Sequence, residues 1–244
     1  MDRTKWIIFS VICVALIGVL IFTRDSGSTF DGNPAAVVEG DNVYGKRDSK
    51  VVLIEYGDFQ CPGCAALYPV FKEVKEQYDN EVAFVFRHMP LTNIHPNARA
   101  AASAAEAAAL QGKFWEMHDQ LYENQDRWSS AQADDRANFF ESYARTIGLN
   151  VDEFREAVAT PDISDRVSRD QAAARKAGLA PSTPTVVLNG EKLDLSTVQT
   201  DGRYDAQKLR DLLNKKLEEA GETPPEIVAP ENADDTPATT TERE

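Results

Sequence analysis

The run Ile54-Glu55-Tyr56-Gly57-Asp58-Phe59-Gln60-Cys61-Pro62-Gly63-Cys64 decides how the rest of the chain is read. It opens as the end of a strand and closes on two cysteines separated by two residues. The strand is Val51-Val52-Leu53-Ile54-Glu55-Tyr56, a continuous apolar and β-branched run between Lys50 and Gly57. That is the pattern of a central strand buried on both faces. After the cysteines, Leu67, Val70, Phe71, Val74 and Tyr78 recur at helical spacing, with Lys72, Glu73, Lys75 and Glu76 opposite them. An amphipathic helix is therefore expected to begin at or just after Cys61. Pro69 lies inside it and predicts a kink near Ala65, whose carbonyl loses its partner. Val82-Ala83-Phe84-Val85-Phe86 is the next strand. Strand, helix and strand in so short a span form a right-handed βαβ unit, with parallel strands and the cysteines at the carboxyl end of the first.

Of the three cysteines, Cys13 sits in an N-terminal apolar run, which leaves Cys61 and Cys64 as a single pair in the remainder. One bridge across so small a loop constrains the unfolded chain too little to staple a fold. Reactivity is the better use of the pair. A thiolate is the reactive form of cysteine, and a helix N-terminus stabilises it through free amides and the positive end of the dipole. In a Cys-x-x-Cys arrangement such placement lowers a thiol pKa by roughly one to five units. Cys64, one turn further on, is expected to be more buried, as suits a resolving thiol. A low pKa makes Cys61 the better leaving sulfur and stabilises the reduced form, so the disulfide becomes an oxidant. A structural zinc site lacks a second ligand pair, and the scattered His88, His95 and His118 read as satisfied surface or core residues, so no metal is expected. Inert packed cysteines fit poorly with Pro62 and Gly63, which mark an exposed turn.

The flanking sequence supplies the setting. With 244 residues and 42% hydrophobic content the chain can bury a sizeable core. Lys plus Arg number 26 against 40 Asp plus Glu, and the net charge of -14 argues against a nucleic-acid partner. Trp6 to Phe22 is an apolar run preceded by Arg3 and Lys5. It is at the short end for a membrane-spanning helix, roughly 17 to 25 residues, and long for a signal-peptide core of about 7 to 15. Residues 6–23 read as an uncleaved signal anchor in preference to a cleaved signal, since Ser26-Gly27-Ser28 is a poor cleavage site. Residues 1–5 are then cytoplasmic and the domain beyond is exported. Cys13 is a small apolar filler of the anchor; the preceding Ser10-Val11-Ile12 does not suit a lipid-modified cysteine. Residues 24–34 form a polar linker. Ala36 to Val38 is expected as an edge strand and Glu39 to Asp48 as turn.

From His95 to about Gly178 the pattern is helical: Asn97 to Leu110, Phe114 to Tyr122, Asp134 to Ile147, Val151 to Ala159 and Ile163 to Ala177. This reads as an inserted all-helical subdomain, with core stripes at Phe114, Met117, Leu121 and at Phe139, Phe140, Tyr143. Strand character returns at Thr185 to Leu188, and Asn189-Gly190 signals a type I′ hairpin into a strand near Lys192 to Leu195. Leu209, Leu212, Leu213 and Leu217 form the apolar face of a last helix ended by Gly221. The tail at 222–244 carries many acids, prolines and threonines and reads as solvated and disordered.

The segment Glu-Tyr-Gly-Asp-Phe-Gln-Cys-Pro-Gly-Cys at 55–64 is followed in order by Phe-Arg-His-Met-Pro-Leu (86–91), His-Pro-Asn-Ala (95–98), Gly-Lys-Phe-Trp-Glu-Met-His (112–118) and Ser-Thr-Pro-Thr-Val-Val-Leu-Asn-Gly (182–190). Together they resemble the DsbA-like branch of the thioredoxin superfamily in its bacterial membrane-anchored form, over about Pro34 to Ala220. The resemblance implies an α/β thioredoxin fold, split into 35–94 and 179–221 around a helical insertion at 95–178, behind an N-terminal transmembrane helix. It implies an extracytoplasmic, single-pass membrane thiol-disulfide oxidoreductase that donates disulfides to exported proteins with free thiols. A quinone-linked membrane partner would reoxidise it, and the Cys61–Cys64 disulfide would be its redox centre with no other cofactor.

By the same resemblance Cys61 is the nucleophile and Cys64 the resolving thiol, with Pro62 and Gly63 tuning the pair. Pro184 is the cis-proline that faces them, Thr183 offers backbone hydrogen bonds to a bound peptide, and Glu55 is the buried acid that relays protons. There is one departure. The family's namesake carries Cys-Pro-His-Cys, and Gly63 removes the imidazole that helps to stabilise the thiolate. The direction of electron flow is therefore left open, with a reductase, an isomerase or a non-catalytic chaperone as alternatives. A glutathione transferase-like isomerase is disfavoured by the presence of both cysteines.

Overall fold

A computed structural model describes residues 36–227. The expected membrane anchor at 6–23, the linker and the tail from 228 onward lie outside the described residues. Among the described residues no helix is long and apolar enough to cross a membrane.

The architecture follows from one strand that is covered on every side. β1 (Asn42–Gly45) precedes β2 (Val51–Gly57), which is buried along its whole length. The crossover helix α1 (Pro62–Gln77) leads to β3 (Val82–His88), which pairs in parallel with β2 from Val51 opposite Val82 to Gly57 opposite His88. α1 continues through Pro69. β4 (Thr185–Leu188) pairs antiparallel on the other side of β2, with Tyr56 opposite Thr185. β5 (Glu191–Lys192) completes the sheet order β1-β3-β2-β4-β5.

Successive side chains of a strand point to opposite faces, and the sheet sorts its residues accordingly. Val51, Leu53, Val82, Phe84, Val186 and Leu188 meet Leu67 and Val74 of α1 and Leu209, Leu213 and Leu217 of α8 (Ala206–Glu219). Val52, Ile54, Tyr56, Val85 and Val187 form the core of the opposite face. Truncating Leu67 or Leu213 to alanine removes a fully buried side chain, at a cost of roughly 2–5 kcal/mol.

Helices α2 (Ala98–Ala109), α3 (Phe114–Glu123), α4 (Gln125–Trp128), α5 (Ala133–Thr146), α6 (Val151–Val158) and α7 (Pro161–Lys176) lie between β3 and β4. The expected stripe residues Phe114, Met117, Leu121, Phe140 and Tyr143 are buried, whereas Phe139 is half-buried. Their cluster is continuous with Phe59, Cys61, Cys64 and Phe86. The helical insertion thus packs directly on the carboxyl end of the sheet.

The edge strand is not where the sequence pattern places it. Residues 36–38 form no strand, and β1 falls in the stretch expected to turn. The cause is Asp41: its carboxylate accepts from the Val38 amide at 2.8 Å and its own amide donates to the Val38 carbonyl at 3.2 Å, which closes a turn there. The strand then begins at Asn42, and Tyr44 packs edge-on to Trp115 at 5.7 Å between ring centroids. The Asn-Gly hairpin forms as expected, with φ of 48° at Asn189 and 86° at Gly190. The strand after it ends at Lys192, and Leu195–Val198 is a 3₁₀ turn capped by Asp194. A second hairpin, β6 (Gln199–Thr200) with β7 (Arg203–Tyr204), was not anticipated.

Candidate active site

Cys61 is the N-cap of α1, with extended backbone (φ -73°, ψ 123°) and Pro62 opening the helix behind it. No side chain caps this helix, so its first-turn amides are available to the sulfur. Both thiols are free and buried, Cys64 completely so. The Cys61 thiol is held down to about 5, chiefly by a hydrogen bond from the Cys64 thiol. Burial opposes this, while Thr183 and the amides of Gly63 and Cys64 add to it. Cys64 moves the other way: burial, the hydrogen bond to Cys61 and the charge of Glu55 push it well above the ordinary thiol range. One sulfur is thus set up as a thiolate, and the other keeps its proton.

The Thr183–Pro184 peptide bond is cis. The Thr183 carbonyl oxygen lies 3.5 Å from Cys61 Sγ. The Thr183 hydroxyl is buried without a partner in this dithiol form, a donor left over for a thiolate. Gly63 has little room above it: a Cβ there would stand 3.1 Å from Pro184 Cδ and 3.6 Å from Cys61 Sγ. Any side chain at 63 presses on the proline, which gives the Gly63 departure a packing consequence as well as an electrostatic one.

Glu55 is buried near the pair, and its Oε1 has no hydrogen-bond partner. Burial pushes its carboxyl up to about 8 against the pull of Lys75, and Cys61 adds to the rise. The structure thus gathers Glu55, Cys61, Pro62, Gly63, Cys64, Thr183 and Pro184 at one end of β2.

Several residues of the site carry no strong signal in the sequence. Asp58 holds the approach to the helix: its Oδ1 accepts from Gln60 N at 2.8 Å, and its Oδ2 accepts from Leu91 N at 2.8 Å and faces His95 Nδ1 at 2.7 Å. Its carbonyl accepts from Cys61 N at 3.0 Å. The unanticipated α4 brings Gln125 to the Phe59 and Cys61 carbonyls, at 2.7 and 3.1 Å. Gln60 bolts the same loop to the insertion through Asn97 N and Ser129 O, both at 2.6 Å. From α3, His118 and Tyr122, one turn apart, set their rings 5.0 Å from each other, and Tyr122 lies 5.0 Å from Phe59. The Asp-x-Gln spacing of an Asx turn was the one local clue.

A second buried cluster brings ligand atoms of His88, Glu106 and Asp170 within 4.8 Å of one another. The Arg166 guanidinium hydrogen-bonds Asp170 and lies 3.8 Å from Glu106, and His88 Nε2 meets Glu106 Oε1 at 2.8 Å. A guanidinium already supplies the positive charge there, so the cluster reads as an internal ion network joining β3, α2 and α7.

Among solved structures the chain is similar to alpha-DsbA1 of Wolbachia pipientis, with 20% identity, a TM-score of 0.63 and coverage of 78% of this chain and 96% of that one. It is similar to oxidised BdbD of Bacillus subtilis, with 20% identity, a TM-score of 0.62 and coverage of 75% and 96%. MdbA of Corynebacterium diphtheriae, a thiol-disulfide oxidoreductase, matches at 22% identity and a TM-score of 0.55, over 66% of this chain and 87% of that one. At these identities the likeness is one of fold. Curated relatives in sequence include the Na(+)/H(+) antiporter NhaA 3 of Salinispora tropica, 41% identical over 62% of this chain, and the Na(+)/H(+) antiporter NhaA of Herminiimonas arsenicoxydans, 31% identical over 87%. The chain spans only 22% and 32% of their lengths, so most of each relative lies beyond the matched segment. A family profile described as thioredoxin matches residues 37–215. That match takes in the strand, the cysteine pair, the helical insertion and the cis-proline loop, and the chain belongs to the thioredoxin family, with a DsbA-like fold.

Proposed function

We propose that the protein is an exported, membrane-tethered thiol-disulfide oxidoreductase that introduces disulfides into exported proteins through Cys61-Pro62-Gly63-Cys64. The observation that carries this reading is the asymmetry of the two sulfurs: Cys61 occupies the N-cap position of α1 with its thiol held down to about 5, and Cys64 is wholly buried with its thiol pushed up. A client thiolate attacks Cys61 Sγ of the disulfide, the Cys61–Cys64 bond breaks, and its electron pair leaves on Cys64. A second client thiolate attacks the client sulfur of the mixed disulfide and Cys61 leaves as thiolate. The client ends oxidised and the pair reduced by two electrons, with the second sulfur of the enzyme pair protonated. Stabilising the leaving thiolate favours the reduced pair, which makes the disulfide oxidising. The electrons travel on the sulfurs, so this reading calls for no bound cofactor; a quinone-linked membrane partner would return the pair to the disulfide. The antiporter names of the sequence relatives suggest no chemistry for a cysteine pair.

The test is equilibration of the purified domain with reduced and oxidised glutathione. An oxidase is expected to settle well above about -200 mV. A value near the roughly -270 mV of thioredoxin would replace the oxidase with a reductase.

A further inference from the structure

We propose that His118, on α3 of the helical insertion, is the positioning residue of a one-water site through which Glu55 exchanges its proton with solvent. The proposal rests on the reading of Cys61 and Cys64 as an exchanging pair and adds a residue to it. A cavity of about 20 Å³ is lined by Glu55, Lys75, Trp115 and His118, among others. About 10–15 Å³ suffices for one water, provided that two or more polar groups can bind it. The polar groups of the residues that line it are the unpartnered Glu55 Oε1, the equally unpartnered Trp115 Nε1, the Lys72 and Lys75 ammonium groups and the His118 imidazole.

The remaining contacts lead outward. His118 Nδ1 is 3.0 Å from Asp119 Oδ1, Lys75 Nζ is 3.2 Å from the same oxygen, and Lys72 Nζ is 3.4 Å from Asp119 Oδ2. Lys75 is buried and Lys72 half-exposed, so Asp119 stands between the cavity and solvent. Burial works against ionisation of Asp119, yet His118, Lys75 and Lys72 hold its carboxyl down to about 2. An ionised carboxylate only accepts, so the proton of the imidazole is fixed on Nδ1 and Nε2 is left as an acceptor. Burial also holds His118 down to about 4, which keeps it neutral and able to accept on one nitrogen while donating on the other. Its ring is clamped 5.0 Å from those of Phe86, Trp115 and Tyr122.

Only protons use this route. When the Cys61–Cys64 bond opens, the sulfur of Cys64 takes the Glu55 proton and Glu55 regains one from the water. In the reverse step Cys64 gives its proton to Glu55 as its sulfur attacks a mixed disulfide at Cys61. The titratable groups around Glu55 are Cys61 at the N-cap of α1, Cys64 and Lys75 of α1, Tyr122 of α3 and Tyr204 of β7; those around His118 are Tyr68 and Lys75 of α1, Asp119 and Tyr122 of α3 and His88 of β3.

The test treats the reduced protein with a symmetrical chromophoric aromatic disulfide, so that Cys61 takes one half as a mixed disulfide while the other half leaves as thiolate, and follows release of the bound half by Cys64 against pH. In His118→Phe the release is expected to slow at least tenfold at neutral pH, while Cys61 alkylates within twofold of the parent rate. His118→Gln, still polar, is expected to recover to within threefold. A parent-like release rate and pH profile in folded His118→Phe would overturn the proposal. A second readout needs no variant: in heavy water the infrared band of the protonated Glu55 carboxyl is expected to shift within minutes. A band unshifted for hours in the folded parent would overturn it as well. Release that is absent in the parent counts against the exchange reading instead, and the infrared result still decides this one.

Discussion

Arg87 and Glu55 sit on neighbouring strands and treat buried charge in opposite ways. Arg87 is fully buried and surrounded: Nη2 meets Asp41 Oδ2 at 2.8 Å, Nε meets Asp41 Oδ1 at 3.1 Å, and Nη1 donates to the Tyr56 hydroxyl at 3.0 Å. Nη2 also donates to the Ala36 carbonyl at 3.0 Å, so one side chain ties β1 and the segment before it to the sheet. Glu55, one register position away, has a bare oxygen and a carboxyl raised to about 8. A charge with every partner in place has a mechanical role, since moving it leaves its partner buried and alone. An acid buried without its partner keeps a proton that it can trade near neutral pH. The first arrangement fixes the sheet edge, and the second faces the sulfurs.

The comparison can be broken at either end. The largest effect is expected at the sulfurs: Cys61→Ser abolishes disulfide transfer to a reduced client, and Cys64→Ala accumulates clients as mixed disulfides on Cys61, both visible on non-reducing gels. Next comes the paired charge. Asp41→Ala strands the Arg87 guanidinium and is expected to cost roughly 3–5 kcal/mol in urea unfolding, with the reduction potential unchanged.

The unpaired acid gives a smaller, pH-dependent effect of predictable sign. Glu55 titrates near 8 in the fold against 4.5 in the unfolded chain. The folded protein then holds a proton that the unfolded chain has released, so stability falls as pH rises above 4.5 and the loss is complete above about 8. The whole limb is on the order of a few kcal/mol. Glu55→Gln is expected to abolish it, gaining stability at pH ~8.5 and little at pH ~5. His118 supplies the opposite limb. Its imidazole is held from 6.5 down to about 4, so its contribution is present above 6.5 and lost as pH falls through 4. His118→Gln should flatten that acid side. Smallest is Gly63→Ala, whose Cβ meets Pro184 at 3.1 Å; about 1 kcal/mol or less is expected from so slight an overpacking. Its effect should appear in client affinity before it appears in stability.

How much of this was legible in the sequence depended on range. The βαβ unit, the helix start at Cys61 and the Asn189-Gly190 turn rest on local periodicity and turn chemistry, and each is present in the fold. The second hairpin carries a local signal too, Asp201-Gly202, with φ of 51° and 75°, but its flanking strands of two residues each are too short to show an alternating pattern. β1 was misplaced because Asn42-Val43-Tyr44-Gly45 has little strand pattern, and the choice between it and residues 36–38 is made by Asp41 contacting Val38 and Arg87. At the site, Cys61 and Cys64 announced themselves by spacing, while Glu55, Thr183 and Pro184 came from family likeness. Asp58, Lys75, His118 and Tyr122 are ordinary polar residues on a loop and two helices. Asp58 and Lys75 sit on the loop and helix that carry the pair, whereas His118 and Tyr122 reach the site only because the insertion packs over the sheet end.

The central claim is that Cys61 and Cys64 titrate far apart although they are one helical turn from each other. The pH dependence of carboxymethylation of the reduced protein, followed separately at the two cysteines by mass spectrometry, tests it directly. Cys61 is expected to react with a midpoint near 5, and Cys64 to stay unmodified throughout the range in which Cys61 is saturated. A common midpoint near the ordinary thiol value of about 8.5 for both would contradict it.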